Sequence, residues 1–301
     1  MTWSFTLAVR MIAADDQRVE FGDTLQAVAP DAAAVRVDEL STQRGDGIFE
    51  TITAVDGQAL AVSAHLERLA HSARLCDLPA PHFEQWRAAI TVAAAQCPPG
   101  QCVIRLAIVR AAEASAAPAA WVTATKAADF SRARRDGIAV VTLERGIDSG
   151  VADRAPWLLL GAKTLSYAVN MAAIREARRR GADDAIFVSS DGLVMEGPTS
   201  SVIARIDGEY VTPEPGTGIL RGTTQLRVFD FLAARGERST VTTLPVGDLT
   251  RVDALWLVSS VRSAAPVVAL DGQPLTPDQD LTEAMNEYLL SPGAGISPRV
   301  R

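Results

Sequence analysis

The sequence predicts an α+β fold divided into two domains, and three observations carry that reading. The chain has 301 residues, more than one small core accommodates. Hairpin turn signals and helical stripes alternate irregularly, unlike the strand–helix repeat of a doubly wound parallel sheet. A polar stretch at 126–135 breaks the rhythm midway. The expected division is a smaller N-terminal α/β domain at 1–125, a linker at 126–135, a larger C-terminal domain at 136–290 and a loose Gly/Pro/Ser/Arg-rich tail at 291–301.

In the first domain, 48–55 is rich in β-formers, Asp56-Gly57 is a hairpin turn signal and 59–62 is the return. Leu66, Leu69, Ala73 and Cys76 then recur at helical spacing. A second helix at 83–95 is stopped by Pro98-Pro99-Gly100. Strands at 102–109 and 119–124 flank an Ala-rich loop, 111–118, suited to act as a lid.

In the second domain a strand at 137–143 precedes a helix. Leu165, Ala168, Val169, Ala172, Ala173 and Ala177 form its apolar stripe, Arg175, Arg178, Arg179 and Arg180 load its polar side, and Gly181 stops it. A meander is expected over 185–212, with turns at Asp191-Gly192 and Asp207-Gly208. Gly222-Thr223-Thr224 opens a helix striped by Leu226, Phe229, Leu232 and Ala233, and 254–259 is a strand with an apolar centre.

Composition excludes several classes. A net charge of −7 argues against a general nucleic-acid binder, which needs a basic surface. No run of about 18 apolar residues is present, so no membrane-spanning helix is expected. Residues 1–14 are mildly apolar, but Arg10 interrupts them and no basic stretch precedes them, so no signal peptide is expected. Cys76, Cys97 and Cys102 form no CxxC and read as reduced thiols of a cytoplasmic protein. The three histidines fall within 18 residues of one another, which argues against a His-rich metal site.

Three features could carry chemistry. The chain has only two lysines, Lys126 and Lys163. Lys126 lies in the polar stretch, where an amine stays solvated. Lys163, in Gly161-Ala162-Lys163-Thr164, follows an apolar run, a setting that favours a nucleophilic amine. Gly222-Thr223-Thr224 enters a helix, whose free N–H groups and positive end suit a phosphate. Glu196, before Gly197-Pro198, is a carboxylate that could keep a heteroaromatic nitrogen protonated. Taken singly, each has a plainer reading: a surface lysine, ordinary N-capping, a solvated glutamate. Together they make a pyridoxal-phosphate toolkit.

On these residues the chain resembles the fold-type IV pyridoxal-phosphate enzymes, which include branched-chain and D-amino-acid aminotransferases and 4-amino-4-deoxychorismate lyase. The matching pieces are Arg44-Gly45-Asp46-Gly47-Ile48-Phe49-Glu50-Thr51, His65-Leu66-Glu67-Arg68-Leu69, Ala162-Lys163-Thr164, Glu196-Gly197-Pro198, Gly222-Thr223-Thr224 and Ser259-Ser260, in the family's order. The resemblance implies the two-domain architecture of D-amino-acid aminotransferase-like proteins and a homodimer whose site lies between the domains. It implies pyridoxal 5'-phosphate as cofactor, no metal, and a small-molecule substrate. Lys163 is then the Schiff-base lysine and proton shuttle, and Glu196 the partner of the pyridine nitrogen. Arg68, Thr223, Thr224 and Ser260 hold the phosphate, with Tyr167 and Ser201 also at the cofactor. Phe49, Thr51, Arg105 and Arg110 fall to the substrate. Two positions depart from the family's habit: Ser201 where asparagine is frequent, and Thr223-Thr224-Gln225 where Ile/Val-Thr-Arg is usual.

For the reaction, Arg110 is followed by Ala111-Ala112-Glu113-Ala114, not by the Arg-x-His carboxylate trap of the D-specific enzymes, which argues against that specificity. The lyase splits aminodeoxychorismate, a dicarboxylate, into pyruvate and p-aminobenzoate on the way to folate, and the resemblance places basic residues at 105 and 110 in that branch. Five apart on one predicted strand, the two arginines point to opposite faces. The first expectation is therefore the lyase. The alternatives are an aminotransferase for branched-chain or related amino acids, and a cofactor-binding protein without turnover.

Overall fold

The structure, a computed structural model, describes residues 3–29, 32, 39–111 and 117–293. The chain packs as two units. One comprises Met1–Ala128 with the segment Ala162–Tyr167, the other Asp129–Gly161 with Ala168–Arg301.

The first unit runs β1 (Ser4–Val9), β2 (Leu25–Val28), α1 (Leu40–Arg44), β3 (Gly47–Val55), β4 (Gln58–Ala59), α2 (Val62–Leu75), α3 (Phe83–Ala95), β5 (Gln101–Val109) and β6 (Ala119–Lys126). Its six strands pair in the order β2-β1-β6-β5-β3-β4, every pair antiparallel. The β3–β4 turn places Asp56 and Gly57 at positive φ (47° and 80°), the conformation a two-residue hairpin with matching twist requires. The return strand is shorter than expected, because α2 already begins at Val62.

The period-2 alternation sorts the sheet into two faces. Ile48, Ile52 and Ala54 of β3, Ile104, Leu106 and Ile108 of β5, and Val122 and Ala124 of β6 are buried. On this face α2 packs against β3 and α3 against β1, β4, β5 and β6. The helices contribute Leu66, Leu69, Ala73, Trp86 and Ile90, all buried. The opposite face carries Phe49 and Thr51, with Thr51, Arg105 and Thr123 aligned across three strands.

The second unit runs α4 (Ser131–Arg135), β7 (Ile138–Glu144), α5 (Val151–Arg154), α6 (Ala168–Arg179), β8 (Asp184–Val188), β9 (Ser201–Ile206), β10 (Glu209–Pro213), α7 (Thr223–Ala234), β11 (Ser239–Thr242), β12 (Ala254–Ser259), β13 (Ser263–Leu270), β14 (Gln273–Pro274) and α8 (Gln279–Leu290). Its sheet has the order β11-β10-β9-β12-β13-β7-β8, with β14 against β13. Both faces of β12 are covered, which explains its unbroken apolar run. Ala254, Trp256 and Val258 pack with residues of α7 and α8, whereas Leu255 and Leu257 join Ile138, Val140 and Val267 in the other core. The Trp256 indole N–H donates to Thr282 Oγ1 at 2.8 Å, the partner a buried indole needs.

Several sequence expectations are corrected. The 126–135 linker is not a separate connector: Lys126 closes β6, residues 131–135 form α4, and the packing changes over between Ala128 and Asp129. The meander holds only in its second half, where β9 and β10 form the expected hairpin about Asp207-Gly208. β8 is an edge strand parallel to β7, four places from β9 in the sheet, because 193–195 make only single bridges and the chain then crosses over through Glu196-Gly197-Pro198. The stripe of α6 is narrower than expected. Leu165 precedes the helix, Ala172 and Val169 are exposed, and only Ala173 and Ala177 are buried. In α7 the buried face turns toward Gln225, Val228, Phe229 and Leu232, leaving Ala233 exposed, since the helix packs against β9, β12 and α8. Residues 112–116 of the expected lid and 294–301 of the expected tail lie outside the described residues.

Candidate active site

The lysine belongs by its packing to the first unit, not to the C-terminal domain that was expected to carry it. The reason is main-chain pairing with the start of β3, which the short β4 leaves uncovered. Phe49 N–H donates to Lys163 O at 3.0 Å and Leu165 N–H to Gly47 O at 2.8 Å, while Lys163 N–H donates to Ser72 Oγ of α2 at 3.0 Å. Gly47 permits this close approach, since a Cβ there would stand 2.9 Å from Leu165 Cδ1 and 2.8 Å from Val109 Cγ1. The Lys163 amine lies over the Phe49 ring, 4.6 Å from its centroid, and 5.5 Å from that of Tyr167. The two rings meet edge to face at 5.3 Å, an arrangement that fixes both. The Arg105 guanidinium stands over the same Phe49 ring at 5.2 Å. Lys163, Phe49, Tyr167 and Arg105 are thus one cluster, with Thr51 opposite Arg105 in the register. Tyr167 lies just before α6, so its place as a core aromatic of that helix is excluded.

Beneath this face the sheet buries a charge network. Glu50, on the helix-covered face of β3, is fully buried. Its carboxylate accepts from Arg68 Nε at 2.7 Å and Nη2 at 2.8 Å, and from His65 Nδ1 at 2.7 Å. Burial alone would raise the Glu50 carboxyl. The charge and hydrogen bonds of Arg68, with those of His65, outweigh it and hold Glu50 well below the usual carboxylate range. Burial lowers His65, partly offset by Glu50, so its imidazole is neutral at neutral pH and Nδ1–H donates. Arg68, expected at the phosphate, is therefore anchored along one guanidinium edge by Glu50.

Arg110 departs from expectation in two ways. It lies one residue beyond β5, so it does not share a strand with Arg105. Its guanidinium binds Asp46 Oδ2 at 2.9 Å and the carbonyls of Cys76 and Asp77 at the C-terminal end of α2, where a cation complements the helix dipole. Those partners engage the groups the substrate role would use, and that role is not carried further.

In the second unit, Glu196 is fixed by its main chain against β8: Phe187 N–H donates to Glu196 O and Met195 N–H to Phe187 O, both at 2.8 Å. Its Oε2 accepts the Leu220 N–H at 3.1 Å, and the Asn170 amide holds the following turn through Pro198 O at 2.7 Å. Leu220 leads into Gly222 and α7. The N-terminus of α7 has no side-chain cap, and three hydroxyls gather there: Thr223 Oγ1 and Thr224 Oγ1 lie 3.4 and 3.5 Å from Ser260 Oγ. Ser201 closes the cluster, for a Cβ on Gly222 would come 2.1 Å from Ser201 Oγ. The Gln225 side-chain amide nitrogen, buried in the first turn of α7, has no hydrogen-bond partner. An uncapped helix start surrounded by hydroxyls is the donor set an oxyanion requires.

Sequence reasoning assigned no role to Glu50, His65 or Ser72. A signal existed for Glu50, the only charge in the inward alternation Ile48, Glu50, Ile52, Ala54. His65 and Arg68 stand three apart on α2, one helical turn, and Ser72 follows on the same face; their target was not readable without the strand above them. Among the described residues no cluster of His, Cys, Asp and Glu could hold a metal ion, and no helix is long and apolar enough to cross a membrane.

Comparison with known proteins places this geometry in a family. The amino-transferase class IV family model matches residues 47–270, most of the chain, and the protein belongs to that family. It is therefore an enzyme of the class that includes both transaminases and lyases. A bifunctional aminodeoxychorismate lyase / D-amino acid transaminase of Mycobacterium tuberculosis is 44% identical over 269 residues, covering 85% of this chain and 92% of the relative. Among solved structures, the fold IV transaminase CpuTA1 of Curtobacterium pusillum superposes with a TM-score of 0.90 at 46% identity, covering 95% of this chain and 97% of that one. A hypothetical aminotransferase from M. tuberculosis in a PLP-bound form gives 0.87 at 39% identity, covering 96% and 99%. The two-sheet α+β architecture is that of the fold-type IV transaminases.

Proposed function

We propose that the protein is a pyridoxal-phosphate-dependent lyase that converts aminodeoxychorismate to p-aminobenzoate and pyruvate, a step toward folate. The residues present fit the cofactor. Lys163 supplies the amine that bonds its aldehyde carbon, and Glu196 the carboxylate for its ring nitrogen. Thr223, Thr224, Ser260 and the start of α7 would supply donors for its phosphate and Arg68 the cation, and Ser201 and Tyr167 are further groups assigned to the cofactor. When bound, the cofactor supplies an electron sink for the carbon that bears the substrate's amino group. The protein's part is positional and acid–base. Lys163 Nζ would give way to the substrate amine, take the proton from the carbon that bears it, which carries no hydrogen in p-aminobenzoate, and hand that proton to the methylene of the departing enolpyruvyl group, which leaves as pyruvate.

The observation that carries the substrate assignment is the Phe49 ring shared by the Lys163 amine and the Arg105 guanidinium. A substrate whose amine takes the place of Lys163 meets a planar, bidentate carboxylate donor in Arg105. Thr51 and Phe49 line the same sheet face. The 44% identical relative, named for both activities, supports the reading.

That relative also favours a second reading, transamination, with D-amino acids among the substrates. An assay of one preparation separates the two. We expect p-aminobenzoate and pyruvate from aminodeoxychorismate at a rate exceeding amino transfer from D- or L-amino acids to 2-oxoglutarate. Intact aminodeoxychorismate alongside rapid transfer would overturn the lyase assignment. Glu196→Gln is expected to lower turnover roughly 10- to 100-fold, the value of about 1.5–3 kcal/mol for a hydrogen bond to a charged group, while the covalent cofactor remains; an unchanged rate would remove Glu196 from the ring nitrogen.

Two further assignments accompany the reading. Sparse free thiols fit a cytoplasmic location. Exposure of Trp157, Leu158, Val169 and Met171 in the second unit supports a homodimer, since large exposed apolar side chains mark association surfaces.

A further inference from the structure

We propose that Glu50 and His65 are positioning residues that hold Arg68 in the orientation in which it binds the cofactor's phosphate. The inference rests on the assignment of Arg68 made above and names the part of the molecule that makes Arg68 effective.

The geometry is a chain of contacts from strand to helix. Glu50 Oε1 accepts from Arg68 Nε, and Oε2 accepts from Arg68 Nη2, His65 Nδ1 and, at 3.3 Å, the Thr51 N–H. The carboxylate has no exposed surface and the Arg68 side chain is 10% exposed. A free arginine side chain samples many rotamers, and ordering them costs binding free energy, although less is lost per bond because the fork is planar. Fixing the Nε–Nη2 edge in advance sets the direction of the opposite edge, at Nη1, before any ligand arrives, and such preorganisation raises affinity by removing an ordering cost. His65 restrains the carboxylate that does the fixing.

Stability alone does not account for the arrangement. Well-packed apolar residues of similar volume serve a core as well as a buried ion pair, or better. The surroundings point instead to the cofactor. His65, Arg68 and Ser72 follow one another along one face of α2, and the last of them, Ser72, accepts the Lys163 N–H. One helix face therefore holds both the main chain of the reactive lysine and the arginine assigned to the phosphate. The triad fixes one relative to the other within the first unit.

The test compares two ligands that differ only in the phosphate. The full-length protein freed of cofactor is titrated with pyridoxal 5'-phosphate and with pyridoxal, and the ratio of dissociation constants is read from absorbance. Glu50→Gln is expected to weaken pyridoxal 5'-phosphate about tenfold, the scale of a charge-assisted hydrogen bond, with pyridoxal nearly unchanged. Glu50→Asp, which keeps the charge, is expected to recover most of the loss. Equal weakening of both ligands, or of neither, would overturn the proposal. If Glu50→Gln does not fold, His65→Gln carries the same comparison. Arg68→Ala separates the two levels of the argument. If it leaves the ratio unchanged, Arg68 does not bind the phosphate; if it raises the ratio of the pyridoxal 5'-phosphate constant to the pyridoxal constant and Glu50→Gln does not, the positioning role alone is lost.

Discussion

Lys163→Ala is expected to abolish both turnover and covalent attachment of the cofactor. The other lysine, Lys126, closes β6 as an exposed residue, so no second amine can substitute. Acid–base catalysis by a positioned group is worth about 10²–10⁴-fold, and loss of the covalent route adds to it. A fall in rate of at least about 10⁴-fold is therefore expected. Borohydride reduction followed by peptide mass mapping reads attachment directly: the wild type carries the cofactor's mass on the peptide containing Lys163, and the variant carries none. The main-chain bonds of residue 163 to Phe49 and Ser72 use backbone atoms only, so the variant keeps the fold and the loss is chemical. Label on Lys126 in either protein would contradict the assignment.

Glu50→Ala is expected to destabilise the first unit by about 3–5 kcal/mol, because removing one partner of a buried ion pair leaves the other charge uncompensated. The guanidinium of Arg68 and the imidazole of His65 would both lose their acceptor. The wild type should also show the pair in its pH dependence. Glu50 has a folded-state pKa below its ordinary 4.5. Its contribution is therefore complete above the unfolded carboxylate range and disappears as pH falls through the lower folded value. His65 works in the same direction, since its folded-state pKa lies below 6.5 and protonation under that pH favours the unfolded chain. Urea unfolding from about pH 5 down to about pH 2 should show a steeper acid loss in the wild type than in Glu50→Ala. Parallel profiles would mean that Glu50 is not ionised in the folded protein.

Much of the architecture was legible because local chemistry agreed with tertiary packing. The Asp56-Gly57 hairpin, α3 and β12 lie where turn residues, breakers and apolar runs placed them. The errors arise where packing partners are distant in sequence. Leu165 looks like the start of a helical stripe, yet it is drawn to the edge of β3, more than a hundred residues earlier. The strands β8 and β9 look consecutive, yet three others separate them. For the site, reactive groups at motif positions stood out by type: a rare lysine, a glutamate before Gly-Pro, threonines at a helix start. What could not be read was which polar groups satisfy one another. Arg110 resembled a substrate ligand until Asp46 and the end of α2 were seen to hold it. Glu50 passed as part of a motif until its carboxylate was found between His65 and Arg68.

The lyase assignment has a kinetic consequence that transamination lacks. A transaminase given only an amino donor halts after one turnover per site, since the amino group stays on the cofactor until a 2-oxo acid removes it. A lyase regenerates its starting form in every cycle. The decisive measurement is p-aminobenzoate and pyruvate formed from aminodeoxychorismate by the cofactor-loaded protein with no 2-oxo acid added. The assignment requires equal amounts of the two products, accumulating far beyond the number of active sites. Product that stops at or below one equivalent per site, and resumes only when 2-oxoglutarate is supplied, would contradict it.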